Sequence, residues 1–327
     1  MKILYFGHEV GNQMALYAQE ARNRGHEAIS VNIGKDVRFF SNEYNFQQKG
    51  IFLDFRRLWF ALYAIFHFDA FHFFYGVSLV SVWRFHHLDL WLLKLLGKKV
   101  VVHFRGSELV NHEHYQHLSG EKKFNKEPEH LSPKRLKWAY TWEKYADVIL
   151  VSTPDLLGVS PRATWMPQVI DVSEWPFVHR DFSTPLAIHA PTRRNLKGTN
   201  TFERAAQQLH IPLKMIEGNA TPMQAMNRGN LGFDQLIIGW YGKVAVEMMA
   251  MGIPVVVHIQ SDYLPTGIGE VPVISANTTN LTEKLEDYLS WPNEKKKALA
   301  VEARTFVETH HNIHQQMDRL MMWYRKD

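Results

Sequence analysis

Short apolar runs alternate along nearly the whole chain with stretches whose apolar side chains recur every three or four residues. The runs KILYFG, EAISVN, AFHFF, KKVVVHF, DVILVS, LAIHA, LKMIEG, QLIIG, PVVVHI and VPVIS have the length and the β-branched or aromatic content of buried strands. Between them, MALYAQEARNRG, TNTFERAAQQL and LTEKLEDYLSW keep helical spacing. Strand, helix and strand repeated in this way predict an α/β protein whose parallel sheets are covered on both faces. The segment WMPQVIDVSEWPFVHRDFSTP, residues 165–185, has three prolines and no clear period, which marks a domain boundary. The last stretch, NIHQQMDRLMMWYRKD, is again helical in pattern, and its spacing leaves open which domain it covers. No short repeat and no low-complexity tract interrupts the order.

The run GKVAVEMMAMGIPVVV reads as a buried helix, a turn at Gly252-Ile253-Pro254 and a buried strand, yet it holds a carboxylate, Glu247, in the middle of its apolar residues. A buried carboxylate either contacts a ligand or pairs with an Arg or Lys in the fold.

Composition narrows the classes. A chain of 327 residues is comfortable for two domains, and 46% apolar with 21% charged residues is ordinary globular composition. The absence of cysteine removes disulfide scaffolds, thiolate metal clusters and a cysteine nucleophile. MKILYFG starts a strand directly, without the features of a secretory leader, so a cytoplasmic location is expected. The apolar region 51–96 is broken by Arg56, Arg57, His67, Asp69, Arg84 and Asp89 and offers no membrane-spanning run. The net charge of +4 is a mild bias towards phosphate-bearing ligands or an anionic membrane surface. Aromatic-basic stretches such as RRLWFALYAIF point the same way, to peripheral contact at the inner membrane face.

Three loops follow predicted strands and carry chemistry. In GHEVGNQM, the turn through Gly11 and Asn12 leads into a helix, whose first N–H groups suit an anion or a sugar hydroxyl; a tight structural turn explains the same residues. In HFRGSEL, Arg105, Ser107 and Glu108 fall just past a buried parallel strand, where open α/β sheets collect ligands, and an exposed loop with an ion pair is the alternative. In LAIHAPTRRNLKGTN, Arg193, Arg194 and Lys197 lie between a strand and a helix, able to clamp a diphosphate or simply to be solvated.

Together these residues resemble the family 4 glycosyltransferases of the GT-B fold, over essentially the whole chain. The opening strand, glycine loop and RGHEA look like the family's acceptor-side start; ADVILVSTPDLL and WMPQVID look like its last N-domain strand and hinge. APTRRNLKGT is similar to its donor-phosphate motif, with Arg194 and Lys197 the best matches, and GWYGKVAVEMMAMGIPVVV resembles its E-x7-E region. The resemblance implies two Rossmann-like doubly wound domains facing a central cleft: residues 1–170 on the acceptor side, joined by a C-terminal helix at 312–327, and residues 171–311 binding the donor. It also implies retaining transfer of a sugar from a nucleotide-diphosphate sugar to a sugar, glycan or lipid-linked acceptor, in bacterial surface glycan or glycoconjugate synthesis, without nucleic acid as partner.

On the same resemblance Arg194 and Lys197 are the catalytic cations that stabilise the departing diphosphate. Gly11, Asn12, Arg105, Arg193, Gly239, Trp240, Tyr241, Gly242, Lys243, Val244 and Glu247 bind the donor. Glu247, placed at the N-terminal part of its helix, accepts hydrogen bonds from the ribose hydroxyls; Trp240, Tyr241, Gly242 and Lys243 line the sugar pocket. Arg194 and Lys197 are expected in an exposed loop, and Asp234 and Gln235 either reach the cleft or cap a turn. The sequence departs from the family where the first glutamate of E-x7-E falls on Gly239, and where HFRGSE has Arg105 for a common His and Glu108 for a common Asp. No D-x-D pair occurs and cations can replace a metal at the diphosphate, so no metal or other cofactor is expected. Two rivals keep the fold: a nucleotide-sugar 2-epimerase, and a non-catalytic nucleotide-sugar-binding subunit that the missing glutamate would suit.

Overall fold

A computed structural model describes residues 1–34, 42–46, 51–82, 85–106, 133–192, 194–216 and 223–325. Ser107, Glu108 and Arg193 lie outside the described residues. The described chain forms two units, one of 1–106 with 133–169 and 313–325, the other of 170–312.

The strands of the first unit are β1 (Lys2–Gly7), β2 (Glu27–Asn32), β3 (Tyr44–Asn45), β4 (Ala70–Phe74), β5 (Ser81–Val82), β6 (Phe85–His86), β7 (Lys99–Phe104), β8 (Val148–Val151) and β9 (Ala163–Trp165). Seven of them make a parallel sheet in the order β3-β2-β1-β4-β7-β8-β9, while β5 and β6 pair antiparallel. The central strands are apolar on both faces because both are covered: Ile3, Leu4, Phe71, Val100, Val101 and Val102 are fully buried. On one face the helices Ile51–His67 and Leu88–Leu95 contribute Ala61, Ala64, Ile65, Leu90 and Leu93 to the core. On the other, Met14, Tyr17 and Ala18 of the helix Gln13–Asn23 pack with Met317 and Leu320 of the helix Ile313–Tyr324. That last helix is tied down by Tyr324, whose hydroxyl lies 2.6 Å from His72 Nδ1, and by an ion pair between Arg24 and Asp318.

The second unit has β10 (Ala187–His189), β11 (Leu213–Met215), β12 (Leu231–Phe233), β13 (Val255–Val257) and β14 (Ile274–Ser275) in the parallel order β11-β10-β12-β13-β14. One face is covered by the helices Thr199–Gln208 and Leu281–Ser290 through Phe202, Ala205, Leu281 and Leu285. The helix Lys243–Ala250 buries Met248 and Met249 completely.

Nine of the ten predicted strands are present; QLIIG is not one of them. Its residues form bends after β12, with Leu236 and Ile237 buried at 2% and 5% exposure, so the apolar run reports packing rather than pairing. The strand at that place is Leu231-Gly232-Phe233, in register with β10 and β13. Its central glycine, approached by Met248, blanks out the apolar signal.

Candidate functional site

In an open parallel sheet the loops at the carboxyl ends of the strands converge, and in the second unit those after β10 and β12 meet through charge. Asp234 directly follows β12 and is 2% exposed. One carboxylate oxygen accepts a hydrogen bond from Lys197 Nζ at 2.7 Å, and the other from the Gly242 N–H at 2.5 Å. The second contact fixes the start of the helix Lys243–Ala250, for which Gly242 is the N-cap. The Gly242 Cα lies close against the pair: a Cβ there would stand 2.9 Å from Lys197 Nζ and 3.3 Å from the Asp234 carboxylate, so a side chain would push the lysine aside.

The expectation of an exposed loop is therefore corrected for Lys197. It ends a short helix, Arg194–Lys197, and its side chain is 14% exposed against the 1% exposed Asp234. Arg194 is at the rim, with Nη2 donating to Glu203 Oε1 at 2.5 Å. Behind them His189, at the end of β10, donates from Nδ1 to the Phe233 carbonyl and accepts at Nε2 from the Thr199 hydroxyl, each at 2.8 Å. Burial lowers its pKa to about 4, so the neutral ring joins β10, β12 and the helix Thr199–Gln208.

Glu247 lies in the middle of its helix rather than near the N-terminus, 6% exposed, and is ion-paired with Lys243 one turn earlier. Burial raises its pKa; Lys243 opposes that shift and Asp234 adds to it. The arrangement matches the structural alternative for a buried glutamate while leaving the carboxylate beside the Lys197–Asp234 pair. Lys243 Nζ also lies 5.7 Å from the ring centre of Trp175. Val244, the next residue of this turn, is partly buried.

Trp240 and Tyr241 do not present their rings to solvent. They are 1% and 3% exposed and stacked at 4.7 Å, and the Tyr241 hydroxyl lies 2.9 Å from His311 Nε2. The Trp240 carbonyl accepts from the buried Gln235 side chain. This corrects the expectation that their side chains line a sugar pocket. Gly239, where the first glutamate of the pair was sought, has φ +80°, and a Cβ would meet Gln260 Cβ at 2.9 Å and the Tyr263 ring at 3.2 Å. The backbone at this position strains any side chain, a glutamate included.

In the first unit Gly11 and Asn12 both take left-handed conformations, with φ of 66° and 60°, ahead of the helix Gln13–Asn23. The helix N-terminus is not open to an anion. The buried Glu9 carboxylate accepts from the N–H groups of Gln13 at 2.7 Å, Met14 at 3.4 Å and Ala15 at 3.1 Å. Burial raises the Glu9 pKa, against the pull of these N–H groups and of Arg105. Gln13 joins the two loops: its amide donates to the Gly11 and Val169 carbonyls, and its carbonyl oxygen accepts from Arg105 Nη1 at 3.4 Å. Arg105 is 7% exposed. The residues missed from sequence are Glu9, Gln13, His189 and Thr199; the acidic residue just before a helix start was the available signal for Glu9.

No protein-family model matches the chain, and no curated protein matches it in sequence. Solved structures do match. HepE of Anabaena in complex with UDP aligns over 98% of this chain and 100% of its own, at 13% identity and a TM-score of 0.66. Sucrose-phosphate synthase from Thermosynechococcus elongatus aligns over 99% and 98%, at 13% identity and a TM-score of 0.68. The catalytic domain of starch synthase IV from Arabidopsis thaliana, bound to ADP and acarbose, aligns over 99% and 98% at 11% identity and 0.60. The chain has the GT-B class of α/β fold, with a parallel sheet in each unit.

Proposed function

We propose that the protein is a retaining glycosyltransferase that moves a sugar from a nucleotide-diphosphate sugar to a sugar, glycan or lipid-linked acceptor. The observation that carries this reading is the cluster of Lys197, Asp234 and Gly242 at the carboxyl ends of β10 and β12, in a fold shared with a protein solved with UDP and with UDP-glucose. As the anomeric C–O bond breaks, its electron pair leaves with the diphosphate, and the acceptor oxygen bonds the anomeric carbon while its hydroxyl proton passes to the departing diphosphate oxygen. Charge grows on the diphosphate during that step, so cations placed against it lower the barrier. Arg194, at the exposed rim, and Lys197, on the short arm held by Asp234, take that role, with Arg193 as a further donor contact. These cations stand in for a metal, and no cofactor is required in this reading.

Glu247 receives the ribose hydroxyls, with Lys243 holding its charge. Gly239, Trp240, Tyr241, Gly242 and Val244 act as donor-binding residues through the backbone of the loop and helix start, since both aromatic side chains are buried. In the first unit Gly11, Asn12 and Arg105, linked through Gln13, are assigned to the sugar side. Synthesis of a surface glycan is the pathway class this activity would serve.

A second reading, a nucleotide-sugar-binding subunit without turnover, is favoured by Gly239, because a glycine in a left-handed conformation supplies no carboxylate to the donor sugar at that place. One experiment separates the two. A thermal-shift panel of UDP, GDP, ADP and TDP with their sugars identifies the donor, since a ligand that binds the folded state raises its melting temperature. Single-turnover rates on that donor, with a chelator present throughout, then test the cations. Arg194→Ala and Lys197→Ala should each slow the chemical step by about 2–4 kcal/mol of barrier, more than they weaken donor binding. Equal rates in wild type and both variants would remove their catalytic role; binding without turnover against any acceptor would establish the second reading.

A further inference from the structure

The helix Ile51–His67 is apolar on both sides. Its inner side chains Ala61, Ala64 and Ile65 are at most 2% exposed, while on the outer side Phe55 is 60%, Trp59 74% and Phe66 71% exposed, with Leu58, Leu62 and Tyr63 between them. A helix that is apolar all round is normally covered all round. The helix Leu88–Leu95, on the same face of the sheet, repeats the arrangement: Leu90 and Leu93 are buried, and Leu88, Trp91 and Leu95 are 57%, 58% and 66% exposed at helical spacing. Exposed apolar surface on this scale marks an interaction site.

We propose that the outer faces of these two helices seat the protein on the interface of an anionic phospholipid bilayer. Three features select that partner. The exposed aromatics include Trp59, Tyr63 and Trp91, the side chains that settle at the level of lipid headgroups. Among the described side chains of the two helices, the exposed cations are Arg56 and Lys94, whereas the carboxylate Asp89 is buried and accepts from Ser78 and the Leu79 N–H. The nearby carboxylates Glu27 and Asp147 are each engaged by a cation, Lys2 and Lys94. Beside the first helix, Ile29, Tyr44, Phe46, Trp59, Phe60 and Tyr63 line an open groove of about 770 Å³ whose walls also carry Arg56 and the Lys2-paired carboxylate of Glu27. An apolar trough with a cation on its wall suits an acyl chain and its phosphate. No helix among the described residues is long and apolar enough to cross a membrane, and with its inner side in the protein core the helix Ile51–His67 lies in the plane of the lipid surface.

This inference does not rest on the glycosyl-transfer reading and is tested without it. The full chain is sedimented with vesicles of phosphatidylcholine alone or mixed equally with phosphatidylglycerol. Partitioning should be about tenfold stronger on the anionic vesicles and should weaken with salt. Trp59→Glu and Phe66→Glu should abolish it and Arg56→Glu should reduce it severalfold, with melting temperatures unchanged because these side chains are exposed. Hydrogen exchange of wild type provides the second readout, with residues 51–67 and 88–95 gaining protection when anionic vesicles are added. Wild-type partitioning retained in both Glu variants, or no partitioning at all, overturns the proposal. So does a concentration-dependent dimer that the same substitutions dissociate without any lipid binding, which would assign the face to a second copy of the chain.

Discussion

Two helices of this protein begin at a carboxylate, one in each unit, and they differ in how much that carboxylate is occupied. Glu9 gives both oxygens to the start of the helix Gln13–Asn23 and meets three successive N–H groups. Asp234 gives one oxygen to the Gly242 N–H at the start of the helix Lys243–Ala250 and the other to Lys197. A helix N-terminus attracts anions, so a strand-glycine-helix turn in a sequence suggests a receptor for one. In the first unit the chain has supplied its own anion, and a phosphate arriving there would meet the charge of Glu9. In the second unit the internal anion is balanced by a cation on a short arm, and Lys243 stands one residue past the cap. The same local motif is structural where the carboxylate is saturated and suited to a ligand where a cation shares it.

The largest consequence is for Lys197. Removing its ammonium leaves the Asp234 carboxylate, 1% exposed, without a counter-charge. Breaking a buried pair from one side typically costs about 3–5 kcal/mol, and neutralising the other partner recovers much of it. Lys197→Ala should therefore lower the urea unfolding free energy by roughly that amount, and Asp234→Asn in the same chain should restore most of it. A loss below about 1 kcal/mol would mean that the pair behaves as a surface pair and that the contrast between the two caps is overstated.

Glu9→Ala comes next. It strands the N–H groups of Gln13, Met14 and Ala15 in a buried place, at an expected cost of about 2–3 kcal/mol, with Glu9→Gln intermediate because one acceptor oxygen remains. Nucleotide affinity should not change in either variant. A marked change in affinity, measured by calorimetric titration, would return the Gly11–Asn12 loop to the list of phosphate sites.

The sequence reveals these two helix starts unequally. Buried parallel strands appear as unbroken apolar runs because both faces are covered, which is why KILYFG, KKVVVHF and PVVVHI are legible at once. Strands β3, β5, β6 and β9 each mix a polar residue into two or three positions and hold no unbroken apolar run, so they leave no such mark. The E-x7-E resemblance leads to Glu247, but its Lys243 partner is an i, i+4 relation that becomes informative only once the helix is known to be buried. The Lys197–Asp234 pair spans 37 residues and two strands, and only the order β10-β12 brings it together. Trp240 and Tyr241 misled because aromatic residues in a loop look like pocket walls, whereas here they fill the core beneath it.

The smallest expected effect belongs to Glu247→Gln, and it separates the ligand role from the structural one. In the folded protein burial holds the Glu247 pKa above that of a free carboxyl. With the folded value above the unfolded one, the unfolded chain ionises first, so this group's contribution to stability falls as pH rises through the unfolded value and beyond. The Gln variant lacks that slope, although it loses the Lys243 pair, so its stability relative to wild type should improve from acid to neutral pH and end close to it. Binding should respond differently. A carboxylate accepts from both ribose hydroxyls, whereas an amide has one accepting end, and a 2′-deoxynucleotide leaves part of the desolvated carboxylate unpaired. The wild type should therefore prefer the ribonucleotide selected by the thermal-shift panel over its 2′-deoxy form, and the Gln variant should lose about 1 kcal/mol of that preference, roughly fivefold in affinity ratio. Calorimetric titration of both nucleotides against both proteins measures the ratio. If it is unchanged in a well-folded variant, Glu247 is a partner for Lys243 and nothing more, and the ribose contact must be sought elsewhere in the loops after β10 and β12.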